Sequence, residues 1–400
     1  MPMQNYIQRA MQPALRNALS VFPIATVCGP RQSGKTTMCR MEFPELPYVN
    51  LEDISFRTLA MEDPKGFLAR FPSGAIIDEA QLAPALFSQI QVIVDDDRFS
   101  GNDSRKFVLT GSRNFALLPE LRQSLAGRTG VFTLLPLSTD EILSCRTPDF
   151  SPEEMIISGG YPGVWNSPFS ARGMVVDNYI DTYVERDVRR LMDVKDLHKF
   201  SIFLRLCAAR IGSELNKSSL AVEVGVSVPT VDSWLSVLEA SFVVHLLQPW
   251  HANIGKRLVK SPKLYFTDTA VACRLLGLQE ASQLAGHPMR GALFENLVIN
   301  NVLKSSYNRG DRCNLNFYRD KSGHEIDLIV ETPHGIDAYE IKAGMSYRPE
   351  YFRNIDYVKD LLGDGMRRSG VVYAGDVEKH TPDHAIINYL NFPDKFKVQH

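Results

Sequence analysis

The fold follows from one stretch of sequence, Gly29-Pro30-Arg31-Gln32-Ser33-Gly34-Lys35-Thr36, which matches the pattern G-x-x-x-x-G-K-S/T. Glycines in this pattern let backbone N–H groups curl around phosphate oxygens, and the following helix turns its positive N-terminus toward the same anion. An apolar strand, Ile24 to Cys28, precedes the stretch, and a helix is expected over Thr37 to Met41. This order predicts a phosphate-binding loop on a parallel sheet.

The loop supplies the charged and hydroxyl groups that a bound nucleotide needs. Lys35 can reach the β- and γ-phosphates, and Thr36 can place its hydroxyl on Mg²⁺. We therefore assign nucleotide contacts to the loop, to the residue after it and to two residues of later strands: Gly29, Pro30, Arg31, Gln32, Ser33, Gly34, Lys35, Thr36, Thr37, Asp78 and Ser112.

A buried strand, Gly74 to Asp78, ends in two acidic residues. Asp78 would hold Mg²⁺ through water, and Glu79 would orient and activate the attacking water. The second acid favours hydrolysis over a GTPase-type switch. A third strand ends in Ser112, which could sense the γ-phosphate or belong to an ordinary strand-to-loop turn. In one large ATPase division, such a strand lies between the loop strand and the acidic strand.

An arginine follows these strands in the string Ser124-Leu-Ala-Gly-Arg128. A guanidinium can neutralise charge that develops on phosphate oxygens in a transition state. Arg128 could therefore serve a nucleotide in its own subunit or in a neighbouring one. The alternative is a surface arginine that caps the end of a helix.

Four strings, GPRQSGKTT, AIIDEAQ, VLTGS and SLAGR in that order, resemble the AAA+-like ATPases of bacteria and archaea that carry a C-terminal domain of unknown function. Three later strings resemble the second half of that family: Gly159-Gly-Tyr-Pro162, Tyr183-Val-Glu-Arg-Asp187 and Tyr339-Glu-Ile-Lys342. The resemblance implies an ATPase core with an additional strand, ATP and Mg²⁺ as ligands, and self-association as a homo-oligomer.

Composition narrows the class of protein. The 400 residues predict two or three domains, and 44% apolar with 22% charged residues is typical of a soluble globular chain. Six scattered cysteines without a C-x-x-C pair indicate reduced thiols in the cytoplasm and no zinc site. The chain shows no apolar run long enough for a membrane span. With a net charge of −2, nucleic acid could bind only through local basic patches.

The periodicity predicts an α/β protein with four parts. A P-loop parallel-sheet ATPase core is expected over residues 1–140, with an N-terminal helix from Asn5 to Leu19. A helical linker or lid follows over residues 141–200, and a winged-helix module over 201–285. An α/β domain like the PD-(D/E)XK nucleases is expected over residues 286–400.

The winged-helix prediction depends on Leu220 to Ser227, where a helix and a glycine turn lead into a second helix with one apolar face. The exposed side of that second helix carries no basic residue, which is poor for reading a major groove. A basic segment downstream could form a wing that touches DNA phosphates: Lys256, Arg257, Lys260 and Lys263. Packing or subunit contact, with solvated lysines, is the alternative.

The C-terminal prediction depends on Asp327, Glu340 and Lys342, which follow a helical Glu295. Strand alternation places Glu340 and Lys342 on one face, and Asp327 with Glu340 could hold a divalent metal. Lys342 could stabilise charge on a phosphorane. This arrangement resembles the PD-(D/E)XK nuclease superfamily. The alternative is a nuclease fold that has lost cleavage and serves as a binding platform.

Two functions fit these features. The first is an oligomeric, Mg²⁺-dependent AAA+-like ATPase in the cytoplasm that acts on DNA with little sequence preference. The second is a nucleotide switch whose C-terminal modules bind protein partners. The second helix of the predicted helix–turn–helix, which exposes the acidic Asp232 and Glu239 and no basic residue, favours the second function, as does the near-neutral net charge. The Asp327/Glu340/Lys342 set favours the first.

Overall fold

The computed structural model describes residues 6–102, 104–112, 125–145, 150–182, 184, 197–250, 261–332, 334–362, 365–381 and 384–393. Contacts between Cα atoms divide the chain into two compact units. The first unit holds Met1–Leu137 with the short segments Ala240–Phe242 and Tyr307–Asp311. The second unit holds the remainder of the chain.

The first unit alternates helices and strands, as the sequence predicts. Its elements are α1 (Gln12–Val21), β1 (Ile24–Cys28), α2 (Lys35–Glu42), β2 (Tyr48–Asn50), α3 (Ile54–Glu62), α4 (Pro64–Ala69), β3 (Gly74–Asp78), α5 (Ala85–Phe99), β4 (Lys106–Gly111) and β5 (Thr129–Thr133).

These strands form one parallel five-stranded sheet in the order β2-β3-β4-β1-β5. The prediction of a parallel-sheet ATPase core is confirmed, and so is the additional strand, because β4 lies between β1 and β3. Every residue of β1 and β3 is buried, as expected for strands covered by helices on both faces. The carboxyl ends of β1, β3 and β4 therefore meet at one edge of the sheet.

The N-terminal helix begins later than predicted. Residues 6–11 are not helical, and α1 runs from Gln12 with Pro13 in its first turn. Proline has no N–H to donate and clashes with the preceding turn, so a helix tolerates it only at its start. Met11 and Leu15 are fully buried against the apolar side chains of the sheet, so this segment packs on the sheet although the predicted start of the helix was wrong.

The second unit begins with helices: α6 (Thr139–Leu143), α7 (Pro152–Ser158), α8 (Pro162–Trp165), α9 (Arg172–Tyr179), α10 (Leu197–Ala208), α11 (Lys217–Val224) and α12 (Val228–Ala240). It continues with β6 (Val244–Pro249), β7 (Lys263–Phe266), α13 (Thr269–Leu275), α14 (Ala281–Ala285), α15 (Arg290–Asn308), β8 (Leu315–Arg319), β9 (Glu325–Thr332), β10 (Gly335–Lys342), α16 (Arg353–Leu362), β11 (Met366–Tyr373), β12 (Lys379–His380) and β13 (Ala385–Asn388).

A mixed eight-stranded sheet organises this unit, in the order β12-β13-β11-β10-β9-β8-β6-β7. The strands β8, β9 and β10 are antiparallel, and β11 then pairs parallel with β10. The structure differs from the predicted division into modules at one point. Strand β6 pairs with β8 through Gln248 and Pro249, which satisfies an edge that would otherwise stay unpaired, so the two predicted C-terminal modules share one sheet.

The helices α11 and α12 form a helix–turn–helix. Gly225 ends α11 with φ of 73°, and the hydroxyl of Ser227 accepts the N–H of Thr230 at the start of α12. Trp234 of α12 is buried against the ring edges of Phe200 and Phe203 on α10. The apolar face of α12 is therefore used for packing within the unit.

Across the described ranges, no single helix combines the length and the apolar composition of a membrane span. The pair α11 and α12, bent by 105°, reaches these criteria only when both helices are counted together.

Candidate functional site

The phosphate-binding loop after β1 packs closely against the backbone at Leu134. Gly29 has φ of 152°, and a Cβ there would lie 2.1 Å from the carbonyl oxygen of Leu134. Gly34 has φ of 92° and caps α2, which begins at Lys35. Only glycine accepts both the close contact and the left-handed backbone, so the two fixed glycines of the motif each have a steric cause.

Lys35 is buried beneath this loop. Its ammonium donates to the carbonyl oxygens of Gly29 and Pro30, at 3.0 and 2.8 Å. Burial lowers the pKa of Lys35, and the nearby carboxylates of Glu79 and Asp78 oppose that shift. The lysine thus lies inside the loop, bonded to neutral acceptors that a phosphate can replace.

A buried polar atom marks the same loop. The hydroxyl of Ser33 is fully enclosed and finds no hydrogen-bond partner among the described residues. A buried hydroxyl without a partner costs about 1–3 kcal/mol, so it indicates a ligand oxygen that completes the site. The loop residues therefore fit a bound phosphate.

Asp78, at the end of β3, gathers three hydroxyl groups. Its Oδ2 accepts from Thr36 at 2.8 Å and from Tyr48 at 2.9 Å, and its Oδ1 accepts from Thr110. Burial and the Asp78 charge raise the pKa of the Tyr48 phenol, which keeps it a donor. The sequence motifs predict Thr36 and Asp78 for this site but not Tyr48 and Thr110. Their positions on strands next to β3 were the available signal.

Glu79 leaves the strand with a left-handed backbone, φ of 53°. Its carboxylate accepts the hydroxyl of Ser112 at 2.9 Å and the side-chain amide of Gln81. The structure thus brings together the predicted water-activating acid and the predicted sensor residue, and Gln81 is a partner that sequence reasoning missed.

Arg9 is another residue that sequence reasoning missed. Its buried guanidinium donates to the carbonyl oxygen of Ser33 at 2.6 Å and to that of Leu135 at 2.8 Å. Charge-assisted hydrogen bonds of this kind fix backbone strongly. Arg9 therefore positions the phosphate-binding loop from the N-terminal segment, where nothing in the sequence pattern pointed to it.

Arg128 lies at the opposite edge of the sheet. Thr129 pairs with Ile24 at the start of β1, whereas the loop follows Cys28, which pairs with Thr133. At about 3.3 Å per residue, roughly 16 Å of strand separates Arg128 from the loop edge, more than an arginine side chain spans. A role for Arg128 at the nucleotide of its own subunit is therefore wrong.

The side chain of Arg128 instead forms a bidentate pair with Asp95 of α5, at 2.6 and 2.7 Å. It also donates to the carbonyl oxygen of Ala126 at 3.1 Å. Within this chain, Arg128 fixes the segment before β5 against α5. A role at the nucleotide of a neighbouring subunit stays a prediction.

In the second unit, Asp327 near the start of β9 lies together with Glu340 and Lys342 at the end of the antiparallel strand β10. The ammonium of Lys342 donates to Asp327 at 3.1 Å and to Glu340. Asp327 also accepts the N–H of Ile341 at 2.8 Å, and Glu340 accepts the amide of Asn354 at 3.1 Å. Alternation along β10 thus places the two predicted side chains on one face, and they contact each other.

Glu295 of α15 joins the same cluster through a different lysine. Its Oε1 accepts from Lys263 at 3.1 Å and from the phenol of Tyr265, and Lys263 also lies 2.5 Å from Glu325. Only 1% of the Lys263 side chain is exposed. Lys263 is therefore unable to contact DNA phosphates, and its place in the predicted basic segment was wrong. The other members of that segment, Lys256, Arg257 and Lys260, lie outside the described residues.

The carboxyl groups of this cluster respond to burial and to one another. Burial, followed by the charge of Asp327, raises the pKa of Glu295 and of Glu340 above the ordinary carboxyl range. Burial alone would raise the pKa of Asp327, but Lys342, Lys263 and the N–H of Ile341 hold it below its ordinary value. Within this cluster, Glu295 and Glu340 therefore release their protons at higher pH than ordinary carboxyls do, whereas Asp327 releases its proton at lower pH.

The predicted metal ligands Asp327 and Glu340 lie in this cluster. Among the described residues, no group of three His, Cys, Asp or Glu side chains is placed to hold one metal ion. Asp327 and Glu340 direct their oxygens to Lys342 and other donors. The arrangement around Asp327 therefore does not fit a divalent metal, whereas the Thr36 and Asp78 pair fits an ion that a nucleotide would help to ligate.

Comparison with known protein families divides the chain into three parts. Residues 21–143 match the family described as AAA domain. Residues 150–282 and 290–393 match two families described as Domain of unknown function, DUF8612 and DUF4143. The predicted resemblance is confirmed: the chain carries an AAA-type P-loop ATPase domain followed by a C-terminal domain of unknown function.

Among relatives, an uncharacterized protein of Mycobacterium tuberculosis is 29% identical over 366 residues, which is 90% of this chain and 79% of the relative. A protein of Mycobacterium bovis gives the same values. Among solved structures, a Walker-type ATPase of Pyrococcus abyssi has a TM-score of 0.45 at 15% identity, covering 68% of this chain and 98% of that one. The Aeropyrum pernix ORC1 protein in complex with DNA has a TM-score of 0.30 at 14% identity, covering 71% and 97%.

Proposed function

We propose that this chain is a Mg²⁺-dependent ATP hydrolase that binds and remodels DNA through its C-terminal modules. The observation that carries the hydrolase part is the convergence of Lys35, Asp78 and Glu79 at one edge of the parallel sheet, beside a loop that holds a buried hydroxyl without a partner.

Binding begins with an exchange of partners at Lys35. Its ammonium leaves the carbonyl oxygens of Gly29 and Pro30 for the β- and γ-phosphates, which are stronger, charged acceptors. The hydroxyl of Ser33 gains a phosphate oxygen, and the N-terminus of α2 faces the anion. Thr36 and Asp78 would hold Mg²⁺, which supplies charge neutralisation on the phosphates.

Hydrolysis requires a base beside the γ-phosphate. Glu79 is the acid that follows Asp78, and its carboxylate is oriented by Ser112 and Gln81. A carboxylate held in this way can accept a proton from the attacking water while its hydrogen-bond partners keep it in position. Ser112 therefore acts here as a positioning residue for Glu79.

DNA binding is supported by the helix–turn–helix of α11 and α12 and by the antiparallel pair β6 and β7, which together have the order of a winged helix. The connection between these strands contains Lys256, Arg257 and Lys260. Cations in such a wing contact phosphates and give affinity without sequence preference.

The second candidate is an ATP-dependent switch that binds protein partners. One observation favours it: α11 exposes 81% of Val222, and the half-exposed Asp232 of α12 pairs with Lys217 at 2.5 Å. Such a surface has an apolar residue and no free cation among the described side chains of the two helices, which suits a protein partner better than a phosphate backbone.

ATP turnover in the presence of DNA of different shapes separates the two functions. We expect single strands, duplexes or forks to raise turnover several-fold at low salt, with the effect falling as salt rises. Wild-type protein that neither binds DNA at low salt with ATP and Mg²⁺ nor changes its turnover would favour the partner switch. Turnover without any DNA tests the hydrolase by itself.

A further inference from the structure

A cavity of about 450 Å³ lies in the second unit, at the start of β11 and beside α16, β12 and β13. Arg368, in its lining, pairs with Asp337 of β10, whereas Tyr373 of β11 pairs with Lys342. At about 3.3 Å per residue, roughly 16 Å of strand separates Arg368 from Tyr373. The cationic end of the cavity is therefore distinct from the cluster of Asp327, Glu340 and Lys342.

Basic side chains from several segments line this cavity. They come from α16, the start of β11, β12 and the residue before β13: Lys359, Arg367, Arg368, His380 and His384. Among the described residues of the lining, none is acidic. Burial and the charge of Asp337 raise the pKa of the Tyr339 phenol in the wall, so this group adds no negative charge. The lining therefore favours an anionic ligand.

A bulge in β11 brings two consecutive arginines to this cavity. Neighbouring residues of a regular strand point to opposite faces of the sheet, so Arg367 and Arg368 would ordinarily diverge. Here Met366 pairs with Ile336 and Arg368 pairs with Asp337, which leaves Arg367 as the extra residue of its strand. A bulge redirects side chains in this way. Both arginines can therefore line one cavity.

Arg367 is held in place by an acid outside the lining. Its Nε and Nη2 donate to the two carboxylate oxygens of the buried Asp337, at 2.9 and 2.5 Å. This pairing uses two of the five N–H donors of a guanidinium. Arg367 can therefore donate to a ligand without leaving Asp337.

His384 forms a fixed part of the wall. Its Nδ1 lies 3.1 Å from the hydroxyl oxygen of Ser369, and its Nε2 lies 2.9 Å from the carboxylate of Asp356. Its ring stacks on that of Phe352, with 4.5 Å between the centroids. Both ring nitrogens have partners, so His384 shapes the cavity and leaves ligand contacts to other side chains.

The net positive charge of the cavity comes from two other side chains. Asp337 offsets Arg367, and Asp356 lies against His384. The exposed Arg368 and the half-buried Lys359 then add a guanidinium and an ammonium. Guanidinium groups match the geometry of phosphate oxygens, and an ammonium binds phosphate as a point charge.

We propose that this cavity binds a terminal phosphate group, with Arg367 and Arg368 as its main partners and Lys359 as a further cation. A terminal phosphate carries nearly two negative charges at neutral pH and offers three strong acceptor oxygens. The group can belong to a small molecule or to the phosphorylated end of a nucleic acid strand. The proposal depends on neither the ATPase nor the DNA assignment.

The test is a calorimetric titration of the full chain with inorganic phosphate. Lys35→Ala protein serves as the starting material, because its nucleotide loop has lost the lysine that binds phosphate. We expect a saturable phosphate site in this protein. Adding Arg368→Ala should weaken the binding at least about tenfold, because the phosphate loses a charged donor.

Matched variants show whether the cavity itself is responsible. Arg353→Ala removes an exposed cation of α16 that does not line the cavity, so it changes the net charge equally and should leave phosphate binding unchanged. Arg368→Lys keeps the charge without the planar fork and should retain part of the affinity. Circular dichroism and thermal melting show which variants are folded.

Two short single strands of the same sequence, one with a 5′-phosphate and one without, identify the source of the phosphate. Tighter binding of the phosphorylated strand that Arg368→Ala removes assigns the group to a nucleic acid end. Equal binding of both strands, beside Arg368-dependent binding of inorganic phosphate, assigns it to a small molecule.

Two results would overturn the proposal. One is a folded Lys35→Ala protein without saturable binding at millimolar phosphate. The other is a loss of affinity in Arg353→Ala as large as that in Arg368→Ala, because the binding would then follow net charge and not the cavity.

Discussion

Lys35 and Lys263 are both buried beside acidic residues, but their ammonium groups contact different partners. Lys35 donates to two backbone carbonyl oxygens of its own loop, and neighbouring Asp78 accepts from three hydroxyl groups. Lys263 instead lies against the carboxylates of Glu295 and Glu325.

The two lysines differ in the free energy that each would lose if its ammonium left its present partners for a ligand. A neutral hydrogen bond contributes about 0.5–1.5 kcal/mol net, and a phosphate more than replaces it. Separation of a buried charge pair leaves uncompensated charge and costs about 3–5 kcal/mol. The first lysine is therefore arranged to change partners, and the second is arranged to keep them.

The largest expected effect is at Lys35. Lys35→Ala should abolish tight ATP binding and reduce turnover to background, because the phosphates lose a charge-assisted partner worth about 1.5–3 kcal/mol per bond. Fluorescent ATP-analogue binding and phosphate release measure the two quantities. Lys65→Ala, at an exposed lysine of α4, is the control and should change neither. Retained tight binding by Lys35→Ala would contradict the exchange of partners.

Glu79→Gln separates binding from chemistry. Binding should stay within about threefold, whereas turnover should fall roughly 10²- to 10⁴-fold, because the amide accepts no proton and Asp78 is untouched. Binding and single-turnover hydrolysis are measured on the same preparation. A variant with normal turnover would mean that another group activates the water.

Arg128→Ala should lower turnover roughly 10- to 100-fold and affinity much less, since a finger from a neighbouring subunit acts mainly on the transition state. Mixing this protein with Glu79→Gln protein tests the direction of action, because some interfaces then combine an intact Glu79 with an intact Arg128. Activity should partly return. No recovery despite demonstrated subunit exchange would count against action between subunits.

Neutralising Lys256, Arg257 and Lys260 together should weaken DNA binding by a smaller, salt-dependent amount. Three lost phosphate contacts would flatten the slope of log K against log salt by up to roughly 2.7, at about 0.9 per contact. Lys263 is left out because it is buried. Glu340→Ala is the control and should leave the slope unchanged. A triple variant with the wild-type slope would exclude this wing as the contact.

The smallest effect is the pH dependence of folding stability that comes from Glu340, in the carboxylate cluster of the second unit. Burial and Asp327 raise the pKa of Glu340, so the folded chain keeps a proton that the unfolded chain releases above a pH of about 4.3. The stability contributed by that proton is present at low pH and is lost as pH rises toward the raised pKa.

Glu340→Gln removes this titration. The melting temperature of the variant minus that of the wild type should therefore increase by roughly 2–4 °C between pH 5 and pH 8. Glu350→Gln, at an exposed carboxyl, should show a flat difference. A flat or falling difference for Glu340→Gln would mean that Glu340 is ionised in the folded chain at pH 5.

The nucleotide-binding half was predictable because its pattern is local. The loop, the strand before it and the acids after β3 are short strings whose spacing has a geometric cause, and the place of β4 between β1 and β3 followed from its likeness to one ATPase division. Contacts that join distant segments were not predictable. Arg9 lies 24 residues from Ser33 and 126 from Leu135, and no pattern links them.

The predicted basic segment is a second case in which a contact between distant segments could not be predicted from a local pattern. In the sequence, Lys263 is the last of four clustered cations and cannot be told from its neighbours. In the fold it is the first residue of β7, directly followed by the buried Leu264, Tyr265 and Phe266, and strand pairing carries it inside. Its place in β7 and the acids of α15 and β9 enclose this cation, and neither is visible in the local run of charges.

The position of Arg128 has a consequence for assembly. The nucleotide loop follows the carboxyl end of β1, and Arg128 precedes the amino end of β5, so one subunit presents the two at opposite poles of its sheet. An arginine that completes a neighbour's site therefore requires head-to-tail stacking, in which each copy uses two unlike surfaces. A pair of such subunits has one complete site and one incomplete site. Closure into a ring would complete every site, and an open stack would always leave one pole without its arginine.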